Sequence, residues 1–573
     1  MSIGRAIQQS LPLRAVSSGF RAGLALTGAS IQAATAVAGA AGSVASAGVG
    51  LATLPARQAA KLVSREFAGS ALARHCSRSD GRAWIEVRSL AGPNGPKLAS
   101  TMLGAVRALP GVSAARLNHP LSRLVVEIDP DAPDAVSLRE LCRVVTDAEN
   151  RCRSRQVRAA DGQRPAALPG DGLVLAARAV TVGANTAGLG AAVLGRLLRL
   201  PGLPLGLEAT VVAVDYQPRL RALLEGRIGK SATDTALSLA SAIVHTLNQA
   251  PTALAVDLLV EGLKNGEERA AALAWRRREP ELAGHAEHPP VPPRSRPVPR
   301  PAGPVERHGD RSAWIQALGA AAVGAVTRSP DMAGTAVAVS APKAARTARE
   351  AFAATLGRGL ADQHGVVVLR PGSLRELDRV SMVIIDPRVL CADTLRVVHV
   401  RGADDDELAK VWERAQARLD QDGLRPGWHP VGSGPGGPEA SYQPALKPLA
   451  SAVVTEARRA DVEVVSVDVD ALGELRPLFD EVCPFDGAAL DDALIAAVIG
   501  YQRQGHDVAV LSAIGLDALA AADVALGMIA GDGSPPWCAD LLLSSLADAW
   551  RVLHALPAAR SASRRGVEMA IGA

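Results

Sequence analysis

Val383-Ile384-Ile385-Asp386 is a short apolar run that ends in a carboxylate. Val and Ile are stiff at χ1 and pack well on a pleated surface, so the run predicts a strand with Asp386 at its carboxyl end. Upstream stand His364-Gly365-Val366-Val367-Val368-Leu369-Arg370 and Leu374-Arg375-Glu376-Leu377. Downstream, Val462-Glu463-Val464-Val465-Ser466-Val467 predicts a further strand, followed by Asp468-Val469-Asp470. Ligands in open α/β sheets gather beyond the carboxyl ends of strands, where Asp386 would stand; a lone carboxylate there does not by itself make a catalytic site.

Working outward, 573 residues are too many for one core, so several domains are expected. Hydrophobic residues make up 48%, but much of this is Ala and Gly, which drive membrane insertion weakly. Aromatic residues are 3%, too few to mark bilayer interfaces. A net charge of +4 gives no reason to expect a nucleic-acid partner. The six cysteines include no C-x-x-C pair, which argues against a disulfide framework or a four-cysteine zinc site and for a reducing cytoplasm around the non-membrane parts.

Residues 1–80 form an Ala-rich N-terminal segment; Ala22 to Leu54 is long enough to span a bilayer and equally readable as an interfacial helix. Residues 83–150 read as a small α+β module: a strand at Trp84 to Arg88, a helix from Lys97 to Leu109 stopped by Pro110-Gly111, strands at Val112 to Leu117 and Leu124 to Ile128, and a second helix opening on the capping box Ser137-Leu138-Arg139-Glu140. Residues 171–275 are helical and of membrane type, with Asp234, His245 and Asp257 inside them or at helix ends. Residues 279–311, rich in Pro and Arg, predict a solvated, protease-sensitive linker. A helical membrane-type hairpin is expected at 312–360, an α/β domain at 365–555 and the start of a further helix at 556–573.

Taken in order, these parts resemble the P-type cation-transporting ATPases of the heavy-metal type in degenerate form. The implied fold class is multidomain: a ferredoxin-like α+β module, α-helical membrane-type segments and a Rossmann-like (HAD) α/β domain. The module's Leu109-Pro110-Gly111-Val112 is similar to the heavy-metal-associated domain, but Gly92 to Lys97 replaces its C-x-x-C, so no metal-binding residues are assigned. No actuator domain with a T-G-E-S loop follows the helices, and Ser340-Ala341-Pro342 stands where the family has its ion-binding C-P-C type of motif.

By this resemblance Asp386 matches the phosphorylated aspartate of D-K-T-G-T, followed here by Pro387, Arg388, Val389 and Leu390. A reduced nucleotide-binding insertion is expected at about 402–450, with His429 of Trp428-His429-Pro430 as a weak nucleotide contact; the Gly-rich run 432–437 reads as a loop. Pro484 to Asp492 lacks the family's lysine, and Ser512-Ala513-Ile514-Gly515-Leu516-Asp517 replaces its G-D-G-x-N-D, leaving Asp517 as the last candidate beside a cofactor. Mg2+ and ATP are cofactors only if the family activity survives. The resemblance implies a cell-membrane protein with cytoplasmic domains, a scaffold or regulatory segment partnered with a catalytic pump half or subunit. Two alternatives stand beside it: part of an active cation-transporting ATPase whose catalytic half lies elsewhere, and a soluble HAD-like interaction module. Arg560, Arg564 and Arg565 enter the last helix, where the expectation is an N-terminal half or a truncated form.

Overall fold

The structure is a computed structural model that describes residues 74–572, apart from 80, 89, 91–93, 132–135, 153–167, 286–295, 329–342, 420–422, 432–436, 486, 488 and most of 200–229. The Ala22 to Leu54 segment, Ser340-Ala341-Pro342 and nearly all of the Gly-rich run lie outside the described residues.

The first unit is a four-stranded antiparallel sheet in the order β1-β2-β4-β3, formed by β1 (Cys76–Ser79), β2 (Arg82–Glu86), β3 (Val112–Asn118) and β4 (Arg123–Ile128). Helices α1 (Gly95–Arg107) and α2 (Leu138–Cys152) cover one face. Strand periodicity divides the two faces. Ala83, Ile85, Leu124 and Val126 pack under the helices, whereas Trp84 and Val125 point the other way into the core of the α/β domain. β1 was not foreseen: Cys-Ser-Arg-Ser has no apolar alternation, and its pairing with β2 makes it a strand.

Helices α3 (Gly172–Leu197), α4 (Lys230–Leu247) and α5 (Pro251–Leu282) pack together, and α5 runs on against α7 (Lys343–His364). Among the described residues, none of these helices is long and apolar enough to cross a membrane. Their alanine-rich composition lowers the apolar drive, and charged groups fall on their contact faces. Glu261 of α5 accepts from Arg178 and Thr181 of α3.

The stretch 279–311, expected as a linker, is described at residues 279–285 and from residue 296 onward. α5 continues through Pro280 to Leu282, and α6 (Pro304–Thr327) begins inside the stretch. Between them, Arg296 pairs with Asp507 at 3.2 Å and with Asp523, while Arg300 pairs with Asp507 at 2.6 Å and with Glu376. A Pro- and Arg-rich composition says nothing about carboxylates two hundred residues away, and these hold the strap down.

The α/β domain is a seven-stranded sheet in the order β11-β10-β6-β12-β13-β14-β5. Its strands are β5 (Val367–Val368), β6 (Met382–Ile385), β10 (Glu463–Val467), β11 (Glu481–Cys483), β12 (Val508–Ser512), β13 (Val524–Met528) and β14 (Leu541–Leu543). All pair in parallel except the edge strand β5. Both faces are covered, which is why the strands read as unbroken apolar runs: Val383 and Ile385 of β6 enter one core, Met382 and Ile384 the other. The short helix α8 (Pro387–Leu390) leads from β6 into an insertion made of β7 (Cys391–Arg401), α9 (Asp405–Ala417), β8 (Gly427–Pro430) and β9 (Glu439–Leu446). Its sheet order is β7-β9-β8 and it starts at Cys391, ahead of the expected 402. Helices α10 (Ala450–Arg459), α11 (Leu490–Arg503), α12 (Leu516–Ala521) and α13 (Leu546–His554) complete the domain, and α14 (Leu556–Gly572) packs along α7.

Candidate functional site

Asp386 follows the interior strand β6 and is the N-cap of α8, accepting the backbone N–H of Arg388 at 3.0 Å. The local sequence favours this: an aspartate cap satisfies an orphan helix donor, and Pro387 at the first helical position has no N–H to leave unpaired. The residue is 0% exposed. A buried carboxylate needs partners for its lone pairs, and here nearby side chains provide them. Arg388 Nε donates to Oδ1 at 2.9 Å and to Oδ2 at 3.1 Å, Arg388 Nη2 donates to Oδ2 at 2.8 Å, and Ser512 Oγ donates to Oδ2 at 2.6 Å. Ser512 is itself fixed by the Gly515 N–H at 2.9 Å.

Arg388 reaches further. Its Nη2 lies 2.5 Å from Asp491 Oδ1 in the first turn of α11. Burial alone would lower the Arg388 pKa, but its hydrogen bonds and charge contacts with Asp386 and Asp491 outweigh that and raise it. The family's lysine is absent from this region, and an arginine two residues after the aspartate supplies a positive charge instead.

None of the other sequence-predicted residues is among the described hydrogen-bond partners of Asp386. Asp517 sits in the first turn of α12, after β12. His429 is on the edge strand β8 of the insertion, its Nε2 2.7 Å from the Arg425 carbonyl and its ring 5.6 Å from that of Tyr442. Asp468, just after β10, forms an ion pair with Arg476 at 2.6 Å. Sequence reasoning missed Ser512, Asp491 and the positive role of Arg388. The signal for the last was a cation at Asp+2, where the aspartate is also a helix cap.

The resemblance implies Mg2+ beside the aspartate. The residues present do not fit it: both Asp386 oxygens face N–H and O–H donors, and the neighbouring carboxylate, Asp491, is taken by the same guanidinium.

An open α/β sheet with a capping aspartate after an interior strand, a small antiparallel insertion following it in the chain and an α+β module preceding it defines a multidomain α/β protein. On its sequence comparisons, the chain is similar to curated proteins named as probable cation-transporting ATPases. It is 30% identical over 551 residues to the probable cation-transporting ATPase I of Mycobacterium tuberculosis (strain ATCC 25618 / H37Rv), covering 82% of this chain and 33% of that protein. The probable cation-transporting ATPase I of Mycobacterium leprae (strain TN) matches at 30% over 563 residues, covering 84% and 34%. The chain thus spans about a third of the length of the curated relatives it matches. A solved structure of a zinc-transporting PIB-type ATPase superposes loosely, at a TM-score of 0.37 and 15% identity over 69% of this chain and 88% of that one. No protein-family profile matches the chain.

Proposed function

We propose that this chain is a catalytically silent, P-type ATPase-like segment that scaffolds or regulates a cation pump at the cell membrane. The observation that carries the reading is the saturation of Asp386. Phosphoryl transfer depends on positioning a nucleotide and metal against a free carboxylate oxygen, and both oxygens here are engaged by Arg388 and Ser512. The residues after Asp386 are Pro-Arg-Val-Leu, none of which is a hydroxyl donor for a phosphate.

A second reading is favoured by length: the relatives are about three times longer than the matched part, so the chain also suits one portion of an active pump whose catalytic half lies elsewhere. Both readings place a catalytic pump half as the partner and the membrane as the site. Two measurements test the proposal. ATP hydrolysis by the purified chain should not exceed background, and turnover that Asp386→Asn abolishes would overturn the silent reading. After an alkaline carbonate wash of cells making the full chain, recovery in the membrane pellet is expected, and recovery in the supernatant would contradict membrane residence.

A further inference from the structure

We infer that Arg388 is a tethered counter-ion: its guanidinium fills the place between Asp386 and Asp491 that a divalent cation would take, and its removal opens a latent oxygen-ligand cation site. The inference deepens the catalytically silent reading and rests on it.

A single nitrogen, Nη2, stands 2.8 Å from Asp386 Oδ2 and 2.5 Å from Asp491 Oδ1, bridging carboxylates that arrive from the end of β6 and the start of α11. These distances put the two oxygens at most about 5.3 Å apart, against about 4.2 Å for two oxygens held at roughly 2.1 Å by one Mg2+, so with the arginine gone the half-exposed Asp491 has to close by about 1 Å to share a cation with Asp386. Ser512 Oγ, 2.6 Å from Asp386 Oδ2, is a third oxygen beside the buried carboxylate. The set is all oxygen, the donor type of Mg2+ and Mn2+ and not of soft metals.

The plug is seated from inside to outside. Asp386 is 0% exposed, Arg388 29% and Asp491 50%, so the guanidinium closes the mouth of the cleft above the buried carboxylate. Its wall is tight: a Cβ placed on Gly515 would come within 3.4 Å of Nη2. An arginine two residues from its aspartate cannot diffuse away, and its effective concentration exceeds that of a free ion. It also remains protonated throughout the accessible pH range. Removing it leaves two facing carboxylates with no cation between them.

Mn2+ is the probe, followed by the loss of the free-ion EPR signal, with the full-length chain as native protein, Arg388→Gln, and Arg388→Gln combined with Asp386→Asn. The native chain should show no site at Asp386 tighter than ~1 mM. Arg388→Gln should gain one Mn2+ per chain with at least about a tenfold rise in affinity, and the double variant should lose it. Should Arg388→Gln unfold without metal, return of its native circular dichroism on adding Mn2+ supports the inference, and failure to return overturns it. A folded Arg388→Gln with no gain also overturns it. So does native Mn2+ binding that Asp386→Asn abolishes; if that native chain still takes no γ-phosphate label, the silent reading stands while the counter-ion inference falls.

Discussion

The Nε of Arg388 is shared between both carboxylate oxygens of Asp386, at 2.9 Å and 3.1 Å, and the two residues are separated by a single proline. The pair is asymmetric, with Asp386 fully buried and Arg388 29% exposed. Removing the arginine therefore leaves an uncompensated buried charge, whereas removing the aspartate's charge leaves a guanidinium that still has Asp491 and solvent. Arg388→Ala should destabilise the α/β domain by about 3 kcal/mol. Asp386→Asn should cost only about 1–2 kcal/mol. Urea unfolding followed by circular dichroism measures both, and the reverse order would count against the geometry.

The ring of Trp84 lies 5.2 Å from that of Trp275 and 6.1 Å from that of Trp537, and its Nε1 donates to the buried Glu279 at 2.9 Å. Trp84 thus joins the α+β module to α5 and the α/β domain at one point. Trp84→Ala should cost about 3–5 kcal/mol in the docking of the module. Trp84→Phe keeps the ring packing, and Glu279 keeps Arg82 at 2.8 Å, so its cost should be smaller, about 1–2 kcal/mol. Small-angle scattering should detect undocking in the alanine variant; an unchanged profile at moderate urea would refute this role.

Arg296 and Arg300 tie the Pro-rich strap to Asp507, which precedes β12. Replacing both by alanine should release the strap, making residues 296–303 the first interior site cut by subtilisin, at a rate well above that of the native chain. Equal cleavage rates would restore the view of this stretch as a free linker.

Glu306 of α6 pairs with Arg349 at 2.6 Å and with Arg379. Burial pushes its carboxyl up, but Arg349 and then Arg379 outweigh that, holding it below its ordinary value of 4.5. A depressed carboxyl stabilises the folded state above its unfolded pKa and loses that contribution as pH falls through the lower folded value. Native stability should therefore drop on acidification below about pH 4.5, and Glu306→Gln should flatten that part of the profile. Urea midpoints measured across that range check it, and parallel profiles would remove Glu306 as a contributor.

What could be read from the sequence was local. The run at Val383 to Ile385 is β6, and the apolar stretch ending at Val467 is β10, because buried parallel strands carry their own signal in β-branched residues. The Pro110-Gly111 stop after α1 is likewise local, with Gly111 at a φ of 80°. What escaped depends on partners far along the chain. Arg388 read only as a departure from D-K-T-G-T because Asp491 and Ser512 are over a hundred residues away. The strap read as a linker because Asp507 lies 211 residues from Arg296. The helical character of the region holding α3 to α5 was legible at 171–275, but alanine-rich composition is ambiguous between a lipid-facing helix and one packed on its neighbours. The ion pairs of Glu261 with Arg178 and of Arg375 with Glu267 were not visible to periodicity.

The most direct test of the account is acid-quenched labelling of the purified chain with γ-labelled ATP and Mg2+, with Asp386→Asn alongside. With both carboxylate oxygens held by Arg388 and Ser512, the account predicts no acid-stable phosphoenzyme on either protein. Label on the native chain that disappears in Asp386→Asn would contradict it and make Asp386 a working nucleophile.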